Sequence, residues 1–173
     1  MHNKILVTYA SRAGSTVEIA REIADTLSQG DIHVELLPMQ DVKSVTAYSA
    51  VAIGSPIRKS QWLPEAIKFI QDHRAELIRK RVATFTVSIT LAMSNGEHYR
   101  QAVAGWIAPV RAQLKPVSEG LFAGKLDFTK LPVTFDTLKL RLVVALGIFP
   151  KDDRRDWKAI HAWADSLPPL LLH

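Results

Sequence analysis

The chain has 173 residues and a formal net charge of +5. That length supports one domain with a real core, and the basic balance suits an anionic partner: nucleic acid, lipid headgroups, or a phosphorylated or carboxylated small molecule. The absence of cysteine excludes disulfides, thiol catalysis, iron–sulfur clusters and zinc thiolate sites.

Lys4-Ile5-Leu6-Val7-Thr8-Tyr9 is a short apolar run that reads as a strand. Ser11-Arg12-Ala13-Gly14-Ser15-Thr16 follows at once, and Ala20, Ile23, Ala24 and Leu27 then recur on one helical face. A strand turning straight into a helix presents free backbone N–H groups and the positive end of the helix dipole, which together favour a bound phosphate. The hydroxyls of Ser11, Ser15 and Thr16 add donors, and Gly14 allows close approach. An ordinary turn is the competing reading, with Ser15 as N-cap and Glu18 completing a capping box. This stretch alone leaves both open.

Gly30 closes the helix as a C-cap. Ile32, Val34 and Leu36 alternate as a second strand stopped by Pro38, and 40–46 is polar and weakly patterned. Ala50-Val51-Ala52-Ile53-Gly54 is continuously apolar, as a parallel strand buried on both faces should be, with Ser55-Pro56 ending it. Leu63 to Ile78 carries the pattern of one long helix with Pro64 in its first turn. Val82–Ile89 is the fourth strand, Leu91–Gly96 a loop, and 98–114 a helix distorted at Gly105 and Pro109. Val117–Ala123 contains the fifth strand, and 153–167 the last helix.

Repeated strand–helix alternation predicts a right-handed parallel α/β sheet of five strands in the order 2-1-3-4-5, with a ligand at the carboxyl ends of strands one and three. Loops 11–16, 55–62 and 89–96 meet there. The whole of 1–173 is expected to be a single domain, with an insert at about 124–150 before the last helix.

Tyr48-Ser-Ala-Val-Ala-Ile-Gly-Ser-Pro56, placed after Ser11-Arg-Ala-Gly-Ser-Thr16, resembles the flavodoxin family. The resemblance implies a flavodoxin-like three-layer sandwich binding FMN, with the phosphate on the first loop and the isoalloxazine between the loops after strands three and four. The cofactor-binding positions it implies are Ser11, Arg12, Ala13, Gly14, Ser15, Thr16, Ser55, Pro56, Ile57, Arg58, Ser88, Ile89, Thr90, Leu91 and Asn95. Where many flavodoxins sandwich the ring between aromatics, this chain offers Ile57, with Trp62 several residues on, and none in 91–95.

Ile53-Gly-Ser-Pro-Ile-Arg58, Val87-Ser-Ile-Thr-Leu-Ala92, and Ala123-Gly-Lys-Leu-Asp-Phe128 with Asp153-Arg-Arg-Asp-Trp157 are similar to menaquinone-dependent protoporphyrinogen dehydrogenases. That narrower resemblance implies an FMN-dependent enzyme of heme biosynthesis that takes hydride equivalents from a tetrapyrrole substrate and delivers them to a quinone. The alternatives are an electron-transfer flavodoxin without its own substrate, and a flavin-free binding module.

Competing phosphate folds fail on named residues. No G-x-G-x-x-G follows the first strand and no Gly-Lys-Ser/Thr occurs. A phospho-receiver domain needs acidic residues where Thr8-Tyr9-Ala10 and Gly54-Ser55 stand. The six histidines are scattered, without metal-ligand spacing. No general base is isolated, so no catalytic residue is named. Arg58-Lys59 suits an anionic substrate or flavin charge at the crevice, with a solvated loop pair as the competing reading. Arg79-Lys80-Arg81 reads as the basic C-terminus of a helix, not a nucleic-acid site.

Phe135, Leu138, Leu142, Ala145, Leu146 and Phe149 can share one helical face. Three readings of 133–149 stand: burial in its own domain, an interfacial helix reaching membrane quinone with Lys130, Lys139, Arg141 and Lys151, or the surface of a homo-oligomer. The N-terminus lacks the pattern of a signal peptide and no apolar run reaches the ~18–20 residues of a membrane span. The expected location is cytoplasmic; the interfacial reading of 133–149 adds peripheral contact on the inner membrane face.

Overall fold

The computed structural model describes residues 4–12, 14–93, 95–125, 135–147 and 152–172. Strands β1 (Lys4–Tyr9), β2 (His33–Pro38), β3 (Ala50–Arg58), β5 (Arg81–Ser88) and β6 (Ser118–Ala123) form a parallel sheet in the order β2-β1-β3-β5-β6. A short β4 (Gln61–Trp62) folds back antiparallel on the end of β3. Apart from β4, this is the order expected from the sequence, strand for strand. The fold is the α/β flavodoxin-like sandwich.

Helices cover both faces. On one side α1 (Ser15–Leu27), α7 (Trp157–Asp165) and α8 (Pro168–Leu172) bury Ile19, Ile23, Leu27, Ile160 and Leu171 against Ile5, Val7, Ala52 and Phe85. On the other, α2 (Pro64–Asp72), α3 (Arg74–Leu77) and α5 (Ala108–Leu114) bury Ala66, Phe69, Ile70, Leu77 and Leu114 against Leu6, Val51 and Ile53. Each large side chain buried this way contributes about 1.5–3 kcal/mol. Ala50 to Ile53 are all fully buried, which accounts for the unbroken apolar run of β3.

Several boundaries differ from the sequence expectation. Ser55-Pro56 does not end β3: the strand runs on to Arg58, with Pro56 opposite Val87 of β5. The pairing of β1 with β3 stops at Tyr9 and Gly54, so Pro56 lies where that edge is free and its missing N–H costs no ladder bond. The long helix of 63–78 breaks at His73, whose φ of −106° and ψ of 12° are not helical. Arg79-Lys80-Arg81 therefore lies beyond a helix, and Lys80 Nζ instead donates to the Tyr48 carbonyl at 2.6 Å. The distorted helix of 98–114 is two helices, α4 (Gly96–Trp106) and α5, hinged at Ile107. Pro109 has no N–H to lose in the first turn of the second.

Gly30 is not the cap of α1; Ser28 holds that place in an ordinary right-handed conformation. The last helix begins at Trp157 rather than Asp153, because the Asp156 carboxylate accepts from Ala159 N at 2.9 Å and caps it there. The terminal α8 was not expected. Of the 133–149 segment, α6 (Phe135–Ala145) is described, whereas Phe149, Lys130 and Lys151 lie outside the described residues.

Candidate functional site

The first loop is built by the end of β1. Ala10 N donates to the Gly54 carbonyl at 3.0 Å, tying the loop entry to β3. Gly14 N donates to Ser11 Oγ at 3.2 Å. Gly14 is the residue before the helix, with φ 87°, a left-handed conformation that glycine takes without steric cost. Glu18 N then donates to the Gly14 carbonyl at 3.3 Å. The capping-box reading is thereby corrected: the cap position is Gly14, with no side-chain cap bond, and Ser15 is already helical. The first-turn amides of Ser15, Thr16 and Val17 have no acceptor within the helix, as at any helix start. Thr16 is buried, Ser11 and Ser15 are half-buried, and Arg12 is exposed and paired with Glu65 of α2 at 3.1 Å. Ala13 lies outside the described residues.

The second loop is the β3–β4 hairpin. Ile57 pairs with Trp62 and Arg58 with Gln61 around Lys59 and Ser60, which take φ of 51° and 60°. Two successive left-handed residues make the tight turn whose twist matches a β-ribbon, although Asn-Gly would fit it at less strain. Ser55 is fully buried, and its hydroxyl accepts from Leu63 N at 3.1 Å and donates to the Pro56 carbonyl at 3.0 Å. It pins the start of α2, which leaves the exposed side of this loop to Pro56, Ile57 and Arg58. Trp62 is turned into the core, where Nε1 donates to Thr86 Oγ1 at 2.9 Å. It presents no ring face to the crevice.

The third loop leaves β5 through a single tight turn over Ile89–Ala92. Ser88 and Thr90 share a hydroxyl–hydroxyl hydrogen bond of 2.6 Å, and Ile89, Thr90 and Leu91 are half-buried. Asn95 stands exposed before α4, and its carbonyl accepts from His98 N at 2.9 Å. A Cβ at Gly96 would lie 2.3 Å from the Leu91 carbonyl oxygen, so only glycine lets the loop close there.

The structure also brings in a border that the loop reading missed. Gly124, just past β6, donates its N–H to the Ser88 carbonyl at 3.0 Å. A Cβ there would lie 3.0 Å from Val87 Cγ1 and 3.6 Å from Ser15 Oγ. The exit of β6 thus runs between the first and third loops. The 152–156 segment lies alongside. The Arg155 guanidinium, its side chain 4% exposed, binds Glu18 at 2.6 Å and Asp153 at 2.5 Å and stacks 4.5 Å over the Trp157 ring. The hydrogen bond from Arg155 holds the Asp153 carboxyl down at about 2. The hint in the sequence is the pair of stretches Ala123–Phe128 and Asp153–Trp157, which the narrower resemblance singles out without placing them at the crevice.

A cavity of about 780 Å³ lies on the β2 side of the first loop, between Tyr9, Ser11 and Arg12, the Pro38 turn, Phe69 of α2 and His73 just after it. It does not extend to the loops after β3 and β5. No group of His, Asp and Glu able to hold a metal ion occurs among the described residues.

A family model for the flavodoxin domain matches residues 6–152. The chain belongs to the flavodoxin family. Among solved structures it is similar to a flavodoxin from the domain Archaea, at 21% identity over 84% of this chain and 95% of that one, with a TM-score of 0.50. It is similar to flavodoxin 2 from Bacillus cereus at 25% identity over 84% of this chain and 97% of that one, with a TM-score of 0.51. The rubredoxin oxygen:oxidoreductase of Desulfovibrio gigas matches at 17% identity and a TM-score of 0.52, over 99% of this chain but 37% of that longer one. Comparison with curated proteins yields no match.

Flavodoxin-like homologues bind FMN. The first loop of this flavodoxin fits the phosphate end of that cofactor. It combines a left-handed glycine, first-turn amides that have no acceptor within the helix, and hydroxyls within one turn of chain, beside the carboxyl ends of β1 and β3.

Proposed function

We propose that this flavodoxin is an FMN-dependent electron-transfer protein whose first loop holds the cofactor phosphate. The observation that carries this reading is the left-handed Gly14 cap, which opens the first turn of α1 at the switch point of the sheet. Bound FMN supplies the redox chemistry, accepting and passing on electrons; the protein binds, orients and tunes it. The amides of Ser15 and Thr16, with the hydroxyls of Ser11, Ser15 and Thr16, bind the phosphate. Ile57, Arg58 and the 88–91 turn would hold the ring end, with Trp62 turned away into the core. Arg58 and Lys59 at the hairpin tip add positive charge on that side.

The test is a titration of the apoprotein with FMN and with riboflavin, which lacks the phosphate. FMN binds much more tightly, and Gly14→Asp abolishes that preference by adding bulk, a strained φ and like charge. Equal affinity for the two flavins in the native protein overturns the reading.

A second reading, an oxidoreductase resembling the menaquinone-dependent protoporphyrinogen dehydrogenases, is favoured by the exposed leucine row on α6 and the residue just after it. Leu138, Leu142 and Leu146 are 60%, 62% and 68% exposed, which suits contact with a bilayer holding a long-tailed quinone. Arg58 and Lys59 suit the carboxylates of a tetrapyrrole. This reading requires porphyrin fluorescence to rise faster with enzyme, porphyrinogen and quinone than without enzyme. A rate equal to the enzyme-free control leaves the electron carrier.

A further inference from the structure

The segment Asp152–Asp156 lies far along the chain from both loops it touches, and it reaches each of them through a polar contact. Arg155 reaches 137 residues back to Glu18, in the first turn of α1. Arg154 Nη1 points at the Ala92 carbonyl, 3.4 Å away, at the end of the turn after β5. Lys125, at the other end of the insert, stands 3.9 Å from Asp153. The two ends of the insert are thus drawn together and laid against two of the three loops of the cofactor crevice.

We propose that Asp152–Asp156 is a clasp on the flavin site, in which Arg155, fixed by Asp153 and Trp157, grips Glu18 and so sets the position of the phosphate-binding first turn of α1. Arg154 performs the same service for the turn after β5. Both arginines are positioning residues; neither needs to touch the cofactor. This rests on the reading of the first loop as the phosphate site.

The physical case is the geometry of the guanidinium. Asp153 accepts from Arg155 Nε at 2.8 Å and from Nη2 at 2.5 Å, a two-point grip that fixes the plane of the group. Nη1 is left to reach Glu18, and the Trp157 ring closes the face. A lysine cannot reproduce that fork, since it carries one point charge with no plane. Because the Arg155 side chain is nearly excluded from solvent, its pairing with Glu18 is less screened than a surface bridge. Glu18 sits one helical turn after Gly14 and donates its own N–H to the Gly14 carbonyl, so a pull on Glu18 is felt at the loop.

The experiment compares FMN and riboflavin affinities in the native protein, Arg155→Met, Arg155→Lys, Glu18→Gln and the double variant Glu18→Gln with Arg155→Met, well below each melting temperature. If the clasp positions the phosphate turn, Arg155→Met and Arg155→Lys each lower the FMN-to-riboflavin affinity ratio, by roughly fivefold to tenfold. Glu18→Gln lowers it too, and the double variant loses little more than either single change. A merely structural role lowers the melting temperature but leaves the ratio as in the native protein, and overturns the proposal. A rise in the ratio for Glu18→Gln overturns it as well, by reducing Glu18 to a charge that repels phosphate. If Arg155→Met fails to fold, Arg155→Lys and Glu18→Gln decide alone. A native ratio of one would instead overturn the phosphate reading itself.

Discussion

Thr8 is fully buried in β1, and its hydroxyl oxygen is the one buried side-chain polar atom without a hydrogen-bond partner among the described residues. A buried hydroxyl left unpaired costs about 1–3 kcal/mol. Valine has nearly the same shape and no such group. Thr8→Val is therefore expected to stabilise the protein by about 1 kcal/mol, read as a higher denaturant midpoint at unchanged slope; a lower midpoint refutes it. Asp153 makes the opposite case. Its carboxyl falls from an ordinary value of 3.8 to about 2 in the folded protein, chiefly through the hydrogen bond from Arg155. Between those values the unfolded chain binds the proton and the folded chain does not, so acid favours unfolding. The stabilisation is whole above about pH 4 and is lost as pH falls through about 2. Asp153→Asn should melt below the native protein at neutral pH, with the gap narrowing as pH drops from about 4 toward 2. A gap that stays constant across that window would exclude the ion pair as its source.

The element that stands apart is α6. Leu138, Leu142 and Leu146 fall on one helical face and are 60%, 62% and 68% exposed, whereas Val144 is 4% exposed. Plain burial, one of the three readings of 133–149, is thus corrected for these leucines. The spacing was visible in the sequence, but whether a stripe meets its own domain depends on where the preceding chain delivers the helix. Because the row carries no core packing, replacing Leu142 and Leu146 together by Glu should leave the far-ultraviolet spectrum and flavin binding intact. If α6 docks on lipid, the same change abolishes sedimentation with anionic vesicles, and the native binding weakens with salt. Native protein that ignores vesicles at low salt, yet dissociates from a dimer on the double substitution, assigns the row to self-association. Among the described residues no helix is long and apolar enough to cross a membrane.

Across the whole molecule, stability is concentrated in the middle of the sheet. Val51, Ala52 and Ile53 of β3 and Val82, Ala83 and Phe85 of β5 are at most 1% exposed, and they lie between two apolar layers. Phe85 fills the space above Gly54 so closely that a Cβ there would lie 2.0 Å from the ring. By contrast, β2 is an edge strand whose residues are all exposed or half-buried. Amide exchange should therefore be slowest in 51–53 and 82–85, with opening energies equal to the global unfolding energy, and measurably faster in 33–37. Equal protection of β2 and β3 would contradict this ordering.

Much of this was legible in the sequence, for one physical reason. Periods of two and 3.6, together with Gly and Pro as breakers, record local backbone preference and which side must be apolar. Lys4–Tyr9, Ala50–Gly54 and Val82–Ile89 therefore announced strands, the intervening stripes announced helices, and right-handed crossover fixed their order. The strand-to-helix turn at Ser11–Thr16 was equally local. What only the tertiary structure decided involves partners with no periodic relation. The cap falls on the left-handed Gly14 and not on Ser15, in a loop whose entry is held to Gly54 of β3. The continuation of β3 past Pro56 depends on where β1 happens to stop. Trp62 could have faced the crevice by position, but Thr86, 24 residues on, offers its indole N–H an acceptor inside the core. Arg155 and Glu18 stand 137 residues apart, and charge pairing at that separation leaves no mark on local pattern. It arises only once the chain has folded both ends of the insert onto the first turn of α1.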